Sequence, residues 1–201
     1  MSFTCVRLNN CGREALGVAR IIGRNLLLLT TLCVLGCSSS ADLDESERAV
    51  LLTEADFKAF GPPIQAGLTG KFSKETNYFE GNVVLSYTFE GSDFSLANSV
   101  TIERSTAHAM ITRTAQRAGI IIAWTSGGVV EESVKLGSSY GENASLSVLK
   151  RSGKPIGNVF TTIIGRKVYL LVFSGIYFED PNDFGPLIAQ KMDAITKYNV
   201  R

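Results

Sequence analysis

The side chains of this chain that could act as nucleophiles, metal ligands or lipid acceptors are few, and their positions limit the chemistry. All four cysteines lie at or before position 37: Cys5, Cys11, Cys33 and Cys37. This distribution excludes disulfide frameworks, cysteine nucleophiles and thiolate metal sites from the rest of the protein. Thiol chemistry is therefore expected only in the N-terminal segment.

His108 is the single histidine, so any Ser-His-Asp or histidine-metal mechanism would have to use it. It lies three residues after Ser105, where the pattern predicts the start of a helix with Ser105 as its N-cap. A hydroxyl that caps a helix is already engaged in a hydrogen bond. We therefore interpret His108 as a surface residue on the face away from Ala107 and Met110, and we predict no catalytic residue, metal ion or cofactor.

Two acidic groups could in principle hold a cation or move a proton. Glu179, Asp180 and Asp183 lack the twelve-residue ligand spacing of a calcium loop, and capping of a C-terminal helix explains them. The adjacent Glu131 and Glu132, with the histidine, are the groups that acid-base catalysis would use. They support an alternative in which the protein is an envelope hydrolase or small-ligand carrier, with a pocket between helix and sheet.

The first 36 residues have the pattern of an export signal. Basic residues precede the apolar run from Leu26 to Gly36, which is shorter than the about 20 residues that a membrane span requires. A positive region followed by a short apolar region is typical of a signal peptide. The basic residues are Arg7, Arg13, Arg20 and Arg24.

The apolar run ends in Val34-Leu35-Gly36-Cys37, which resembles the lipobox of bacterial lipoproteins. The resemblance implies cleavage between Gly36 and Cys37, a diacylglycerol on the Cys37 sulfur and acylation of the freed amine with a fatty acid such as palmitate. Two or three acyl chains would make the membrane attachment effectively permanent. An ordinary secretory signal with a coincidental cysteine, or a buried apolar helix, is the alternative.

Composition separates the segment after Cys37 from the body of the protein. Residues 37–49 are small and acidic, without periodicity, which indicates a lipidated cysteine on a flexible tether. We therefore predict a cleaved signal peptide over 1–36, the tether over 37–49 and one domain over 50–201. The expected location is the bacterial cell envelope, on the outer membrane or the periplasmic side of a membrane.

The charge balance argues against nucleic acid as a partner. The chain has 20 Lys and Arg against 19 Asp and Glu, and 45% of its residues are hydrophobic, which is ordinary for a globular protein. No long basic run provides an electrostatic footprint for DNA or RNA. Removal of the basic signal would leave a weakly acidic protein, so the acyl chains on Cys37 would have to carry the membrane contact.

The first part of the domain is predicted to hold a short helix and a hairpin. Thr53 and Asp56 have the spacing of a capping box, which predicts a helix of about two turns before Gly61. Alternation over residues 83–90 predicts a half-buried strand that pairs with the segment before Gly81. A third strand is expected around Val100 and Ile102.

A central helix is predicted to begin after Ser105 and to end at Gly119. Its apolar stripe has the spacing of a core-facing helix surface. Residues 120–124 and 129–136 are then interpreted as two strands, with a continued helix into Trp124 as the alternative. The stripe consists of Ala107, Met110, Ile111, Thr114, Ala115 and Ala118.

The last third of the chain predicts a strand meander followed by a helix. Strands are expected over 146–150, 159–164 and 168–173, and the last should be central because both of its faces are apolar. Asp180 and Pro181 predict a helix start, and Phe184, Leu187, Ile188, Met192 and Ile195 form its stripe. The expected fold is α+β: an antiparallel sheet with a strand meander, covered by helices, with the C-terminal helix docked on it.

This element order resembles the PsbP-like family of extracytoplasmic lipoproteins and lumenal proteins, chiefly over residues 138–175 and 179–192. The resemblance implies an accessory, sensory or assembly role without a shared catalytic motif. We therefore predict a membrane-anchored lipoprotein with a non-catalytic binding or accessory domain and another envelope protein as partner. Three aromatic residues are interpreted as core residues or, alternatively, as exposed contacts: Trp124, Tyr177 and Phe178. The basic residues Lys150, Arg151 and Lys154 are interpreted as a solvated turn or, alternatively, as a tip that touches lipid headgroups or peptidoglycan acids.

Overall fold

The computed structural model describes residues 38–60, 68, 70–77 and 81–199. These residues form an eight-stranded antiparallel sheet with helices on both faces. The strands are β1 Ser38–Ala41, β2 Lys71–Asn77, β3 Asn82–Glu90, β4 Ser95–Ile102, β5 Val129–Val134, β6 Glu142–Arg151, β7 Lys154–Ile164 and β8 Lys167–Ser174. The helices are α1 Glu45–Ala49, α2 Thr106–Thr125 and α3 Pro181–Lys197. The predicted α+β class is confirmed.

The strand order β1-β2-β3-β4-β8-β7-β6-β5 results from one long connection. Helix α2 carries the chain from β4 in the middle of the sheet to β5 at its edge, and the meander β5 to β8 then returns to β4. Every residue of β8 is buried, which confirms its predicted central position. The turn between β6 and β7 consists of Ser152 and Gly153, both at positive φ, as a tight hairpin requires.

The two faces of the sheet carry different layers. One face packs against α1, the turn after it and the C-terminal helix α3, whose predicted stripe is buried around Phe184 and Ile188. The predicted core face of β3 belongs to this layer, with Leu85, Tyr87 and Phe89 buried. The opposite face is covered over β7 and β8 by α2, where Ile120 and Trp124 pack.

The flexible tether expected over residues 37–49 is corrected by the structure. Residues 38–41 pair with β2, and Asp44 begins α1 through a reciprocal capping box with Glu47. Glu47 is 4% exposed, and its carboxylate lies 2.6 Å from the Lys74 ammonium group. Small polar residues can pair through their backbone alone, so their composition does not exclude a strand.

Two predicted helix bounds also change. The helix expected at Thr53 is a 3-10 turn over Glu54–Phe57, although the predicted bond from the Thr53 amide to the Asp56 carboxylate is present at 2.7 Å. Helix α2 does not end at Gly119 but continues to Thr125, so residues 120–124 are helical rather than a strand. A glycine inside a helix costs roughly 1 kcal/mol, less than burial of one large apolar side chain returns.

Candidate functional site

The apolar stripe of α2 faces solvent, and this corrects the prediction that it faces the core. The exposed fractions are 53% for Met110, 66% for Ile111, 47% for Ile121 and 71% for Ile122. The small residues between them, such as Ala115, are exposed as well. A surface helix ordinarily turns this kind of stripe inward. We call the exposed residues of α2 the outer face.

The polar side of α2 faces the sheet instead. Thr112 donates a hydrogen bond of 2.6 Å to Glu103, a residue that is only 3% exposed. Gln116 donates to the Thr101 hydroxyl at 3.2 Å. These bonds join the helix to the end of β4, so they fix which side of α2 is turned inward.

Two arginines complete this polar layer. Arg113 donates to the Ser145 hydroxyl at 3.2 Å, and Arg117 forms an ion pair of 2.6 Å with Glu131 on β5. Burial lowers the pKa of Arg113, and the nearby positive charge of Arg117 lowers it further by a smaller amount. The buried Arg113 Nε, Arg117 Nη1 and Glu131 Oε1 atoms have no hydrogen-bond partner among the described residues. Burial of such groups is unfavourable, so this inward side is held by specific bonds rather than by strong apolar packing.

Apolar contact between α2 and the sheet is confined to two places. Ala109 packs on Ile163 and Val168 near the start of the helix. Ile120 and Trp124 pack on the opposite end of the sheet, in a cluster with Val129, Leu149, Val159, Leu170 and Val172. Trp124 is therefore a core residue, as predicted. Between these two contacts the helix rests on its polar layer.

His108 occupies a geometry that does not suit a general base for serine. Ser105 is the predicted N-cap, and its hydroxyl accepts the His108 amide at 3.2 Å and lies 2.7 Å from Nδ1. Arg104 donates to Nε2 at 2.9 Å, so Nε2 is the acceptor and Nδ1 carries the proton. The nitrogen that faces Ser105 therefore cannot accept its proton. The His108 ring is half-buried. The prediction that it lies opposite a buried apolar stripe is wrong, because Ala107 and Met110 are themselves exposed.

Glu131 and Glu132 do not form an acid-base pair. They are neighbours on β5, where successive side chains point to opposite faces. Glu131 pairs with Arg117 beneath α2, whereas Glu132 pairs with Lys150 on the other side of the sheet. The two carboxylates are therefore separated by the sheet itself.

An open depression of about 350 Å³ lies where the start of α3 meets β5 and β6. Its Glu132 carboxylate is 64% exposed and is held by Lys150. The hydrogen bond that Lys150 donates to the Glu132 carboxylate, together with the negative charges of Glu132 and Glu179, raises the pKa of Lys150. These groups form a solvated ion pair. The lining residues are Glu132, Ser133, Val134, Lys135, Val148, Glu179 and Pro181.

A serine motif that the sequence interpretation did not include lies between β5 and β6. Residues 137–141 have the spacing Gly-x-Ser-x-Gly that presents a nucleophile on a turn between strand and helix. Here Ser139 lies in a 3-10 turn between strands β5 and β6. The following Tyr140 hydroxyl donates to the Pro181 carbonyl at 2.5 Å. The turn thus anchors α3 and lacks the strand-to-helix geometry of a nucleophile elbow.

The remaining candidate residues have structural roles. Asp180 caps α3 by accepting the Asn182 amide at 2.8 Å, as predicted, and Phe178 is buried. Arg151 donates to the Gly127 carbonyl at 3.3 Å. In the part of the chain with described positions, no three His, Cys, Asp or Glu side chains are grouped to hold a metal ion.

The predicted lipid-attachment residue Cys37 and the cleavage junction between Gly36 and Cys37 lie outside the described residues. Among the described helices, none is long and apolar enough to cross a membrane. No family model, curated protein or solved structure matches this chain. The interpretation of its function therefore depends on its own residues.

Proposed function

We propose that this protein is a lipoprotein of the bacterial cell envelope, anchored through acyl chains on Cys37, whose domain binds a protein partner without catalysing a reaction. The outer face of α2 is the observation that carries the binding role. Its large side chains, Met110, Ile111, Ile121 and Ile122, are all about half exposed or more. Contiguous apolar surface of this kind marks interaction sites on soluble domains.

The position of the proposed anchor is compatible with this role. Ser38, the residue after Cys37, pairs with Asn77 at one end of the sheet. The register across β2 and β3 brings Ile102 to the same end, four residues before α2 begins. Helix α2 then runs toward the opposite end of the sheet. A membrane beside Ser38 would therefore leave most of the outer face open to a neighbouring protein.

The rival interpretation as a hydrolase or small-ligand carrier has weaker support. Its acid-base candidates Glu131 and Glu132 lie on opposite faces of the sheet, and the proton on His108 Nδ1 faces Ser105. The depression beside Pro181 is open to solvent, whereas ligand sites usually bury most of the ligand surface. The binding role is therefore the function that we propose.

The anchoring is tested with cells that express the full chain and receive a fatty-acid probe. We expect the wild type and Cys33→Ser to incorporate the probe and to enter the detergent phase, because both keep the proposed acceptor thiol. Cys37→Ser should do neither. Labelling of Cys37→Ser equal to that of Cys33→Ser would contradict the lipoprotein assignment.

The binding role is tested by photocrosslinking in membranes that contain the full chain. A photoreactive residue at Ile122 should give a defined crosslinked protein band, because this side chain is 71% exposed on the outer face. The control is the same residue at Gln190, an exposed position on α3. Identical products from the two positions would show random collision and would refute a specific site on α2.

A further inference from the structure

We propose that the partner of the outer face is a second copy of this chain, with the two α2 helices packed antiparallel across a two-fold axis. The inference rests on the proposed binding role of α2, and it specifies the partner. It is independent of the lipid anchor, since a dimer through α2 does not require Cys37.

The first argument is the symmetric spacing of the outer face about Gln116. With the exception of Ala115, exposed positions before Gln116 have exposed counterparts at the same distance after it. In an antiparallel pair, the level of Met110 and Ile111 in one copy therefore coincides with the level of Ile121 and Ile122 in the other. The matched positions are 107 with 125, 110 with 122, 111 with 121, and 114 with 118.

The second argument is the size of the matched side chains. Large residues meet large residues at both ends of the proposed contact, whereas Thr114 and Ala118 meet at its centre. Small residues at a crossing point allow two helix axes to approach to about 8 Å, the lower end of the usual range. The end layers can then interdigitate without a gap at the centre.

The third argument is charge. The outer face has no charged residue, because Arg113 and Arg117 are bound to groups on the sheet. Two copies can therefore meet without like-charge repulsion and without removing an ion from water. A helix that lies on a lipid surface usually combines basic residues with aromatic ones, and the outer face has neither. It consists of Thr106, Ala107, Met110, Ile111, Thr114, Ala115, Ala118, Ile121, Ile122 and Thr125.

The exposed area agrees with a weak dimer. The four large side chains expose roughly 400 Å² in each copy, which is within the range of the largest apolar patch on a soluble protein. With the small residues, two copies would bury about 1,000 Å² in total, near the lower limit for a specific interface. We therefore expect reversible association in the micromolar range.

The geometry is tested by oxidative crosslinking of two differently tagged full-length copies in detergent solution, where the two anchors need not enter one membrane. One copy carries Thr114→Cys and the other Ala118→Cys, which an antiparallel pair brings to the same level. Their Cα atoms should lie within the roughly 4.4 to 6.8 Å that a disulfide requires. We expect a crosslinked heterodimer that the parent chain, with only its native cysteines, does not form.

Ile122→Cys in both copies is the matched geometric control. The two substituted positions would be about 18 Å apart along the axes of an antiparallel pair, since twelve helical residues rise 1.5 Å each. Crosslinking of Ile122→Cys to itself would indicate a parallel pair and would overturn the proposal. Absence of the 114–118 crosslink would also overturn it. Fatty-acid labelling of the same samples reports separately on the anchor.

A second measurement uses sedimentation equilibrium of the detergent-solubilised full chain. Ile122→Lys should weaken association at least tenfold, because it places a charge in the contact. Val130→Lys is the control, since Val130 is 68% exposed but lies on β5 with its side chain opposite to that of Glu131. A monomeric wild type across the micromolar range would refute the dimer. Binding of the Cys37→Ser chain to lipid vesicles would also refute the dimer if Ile122→Lys abolished that binding. The outer face would then contact a lipid surface rather than a second copy.

Discussion

Ile120 and Ile122 provide a direct test of how α2 is oriented, because they are identical residues on one helix with opposite exposure. Ile120 is 3% exposed and packs beside Trp124, whereas Ile122 is 71% exposed. Truncation of a buried isoleucine to alanine costs about 2 to 5 kcal/mol. Truncation of an exposed one removes little contact, and alanine has the higher helix propensity by a few tenths of a kcal/mol.

We therefore expect Ile120→Ala to lower the free energy of unfolding by about 3 kcal/mol and Ile122→Ala to change it by less than about 0.5 kcal/mol. The measurement is urea denaturation of the full chain at low concentration, followed by the fluorescence of Trp124, the single tryptophan, and by circular dichroism. Both probes should give one midpoint with an unchanged slope. Equal losses for the two variants would refute this orientation of α2 on the sheet.

Three further predictions concern the opposite side of the sheet. Leu187→Ala should lower the free energy of unfolding by about 2 to 5 kcal/mol, since this side chain of α3 is buried against the sheet. Lys197→Ala, at an exposed position, should change it by less than about 0.5 kcal/mol in the same urea melts. Tyr169→Phe should not reduce that free energy, because the buried Tyr169 hydroxyl has no hydrogen-bond partner among the described residues; a loss above about 1 kcal/mol would contradict this reasoning. Burial and neighbouring carboxylates raise the pKa values of Tyr87 and Tyr198, so stability should be fully present below about pH 10 and should fall above it, as the unfolded chain releases its phenol protons first; a thermal midpoint that stays constant up to pH 11 would contradict it.

The elements that the sequence predicted correctly depend on local signals. In β3 the alternation places Leu85 and Tyr87 on one buried face, and in β8 both faces are apolar and both are covered. Asp180 and Pro181 begin α3 because the carboxylate accepts an amide of the first turn and the proline needs no donor there. Each of these signals acts within a few residues, so no knowledge of the tertiary structure is required to interpret it.

The start of the described chain could not be predicted in the same way. Edge strand β1 is made of Ser38, Ser39, Ser40 and Ala41, whose side chains have low strand propensity and no apolar alternation. It pairs with β2 through backbone groups, which every sequence possesses. A lipid on Cys37 would therefore be attached directly to the sheet, without the tether that the composition indicated.

Helix α2 shows where pattern analysis reaches its limit. The 3.6-residue period identifies two different faces of a helix, but it does not state which face meets the sheet. That choice depends on distant residues such as Glu103 and Glu131, whose carboxylates receive Thr112 and Arg117 from the helix. These bonds offset the unfavourable burial of polar groups on the inward side of α2. The apolar outer face is then left exposed to water, which is itself unfavourable. Local rules are expected to fail at functional surfaces, so the misassigned face of α2 is the surface on which we expect a partner to bind.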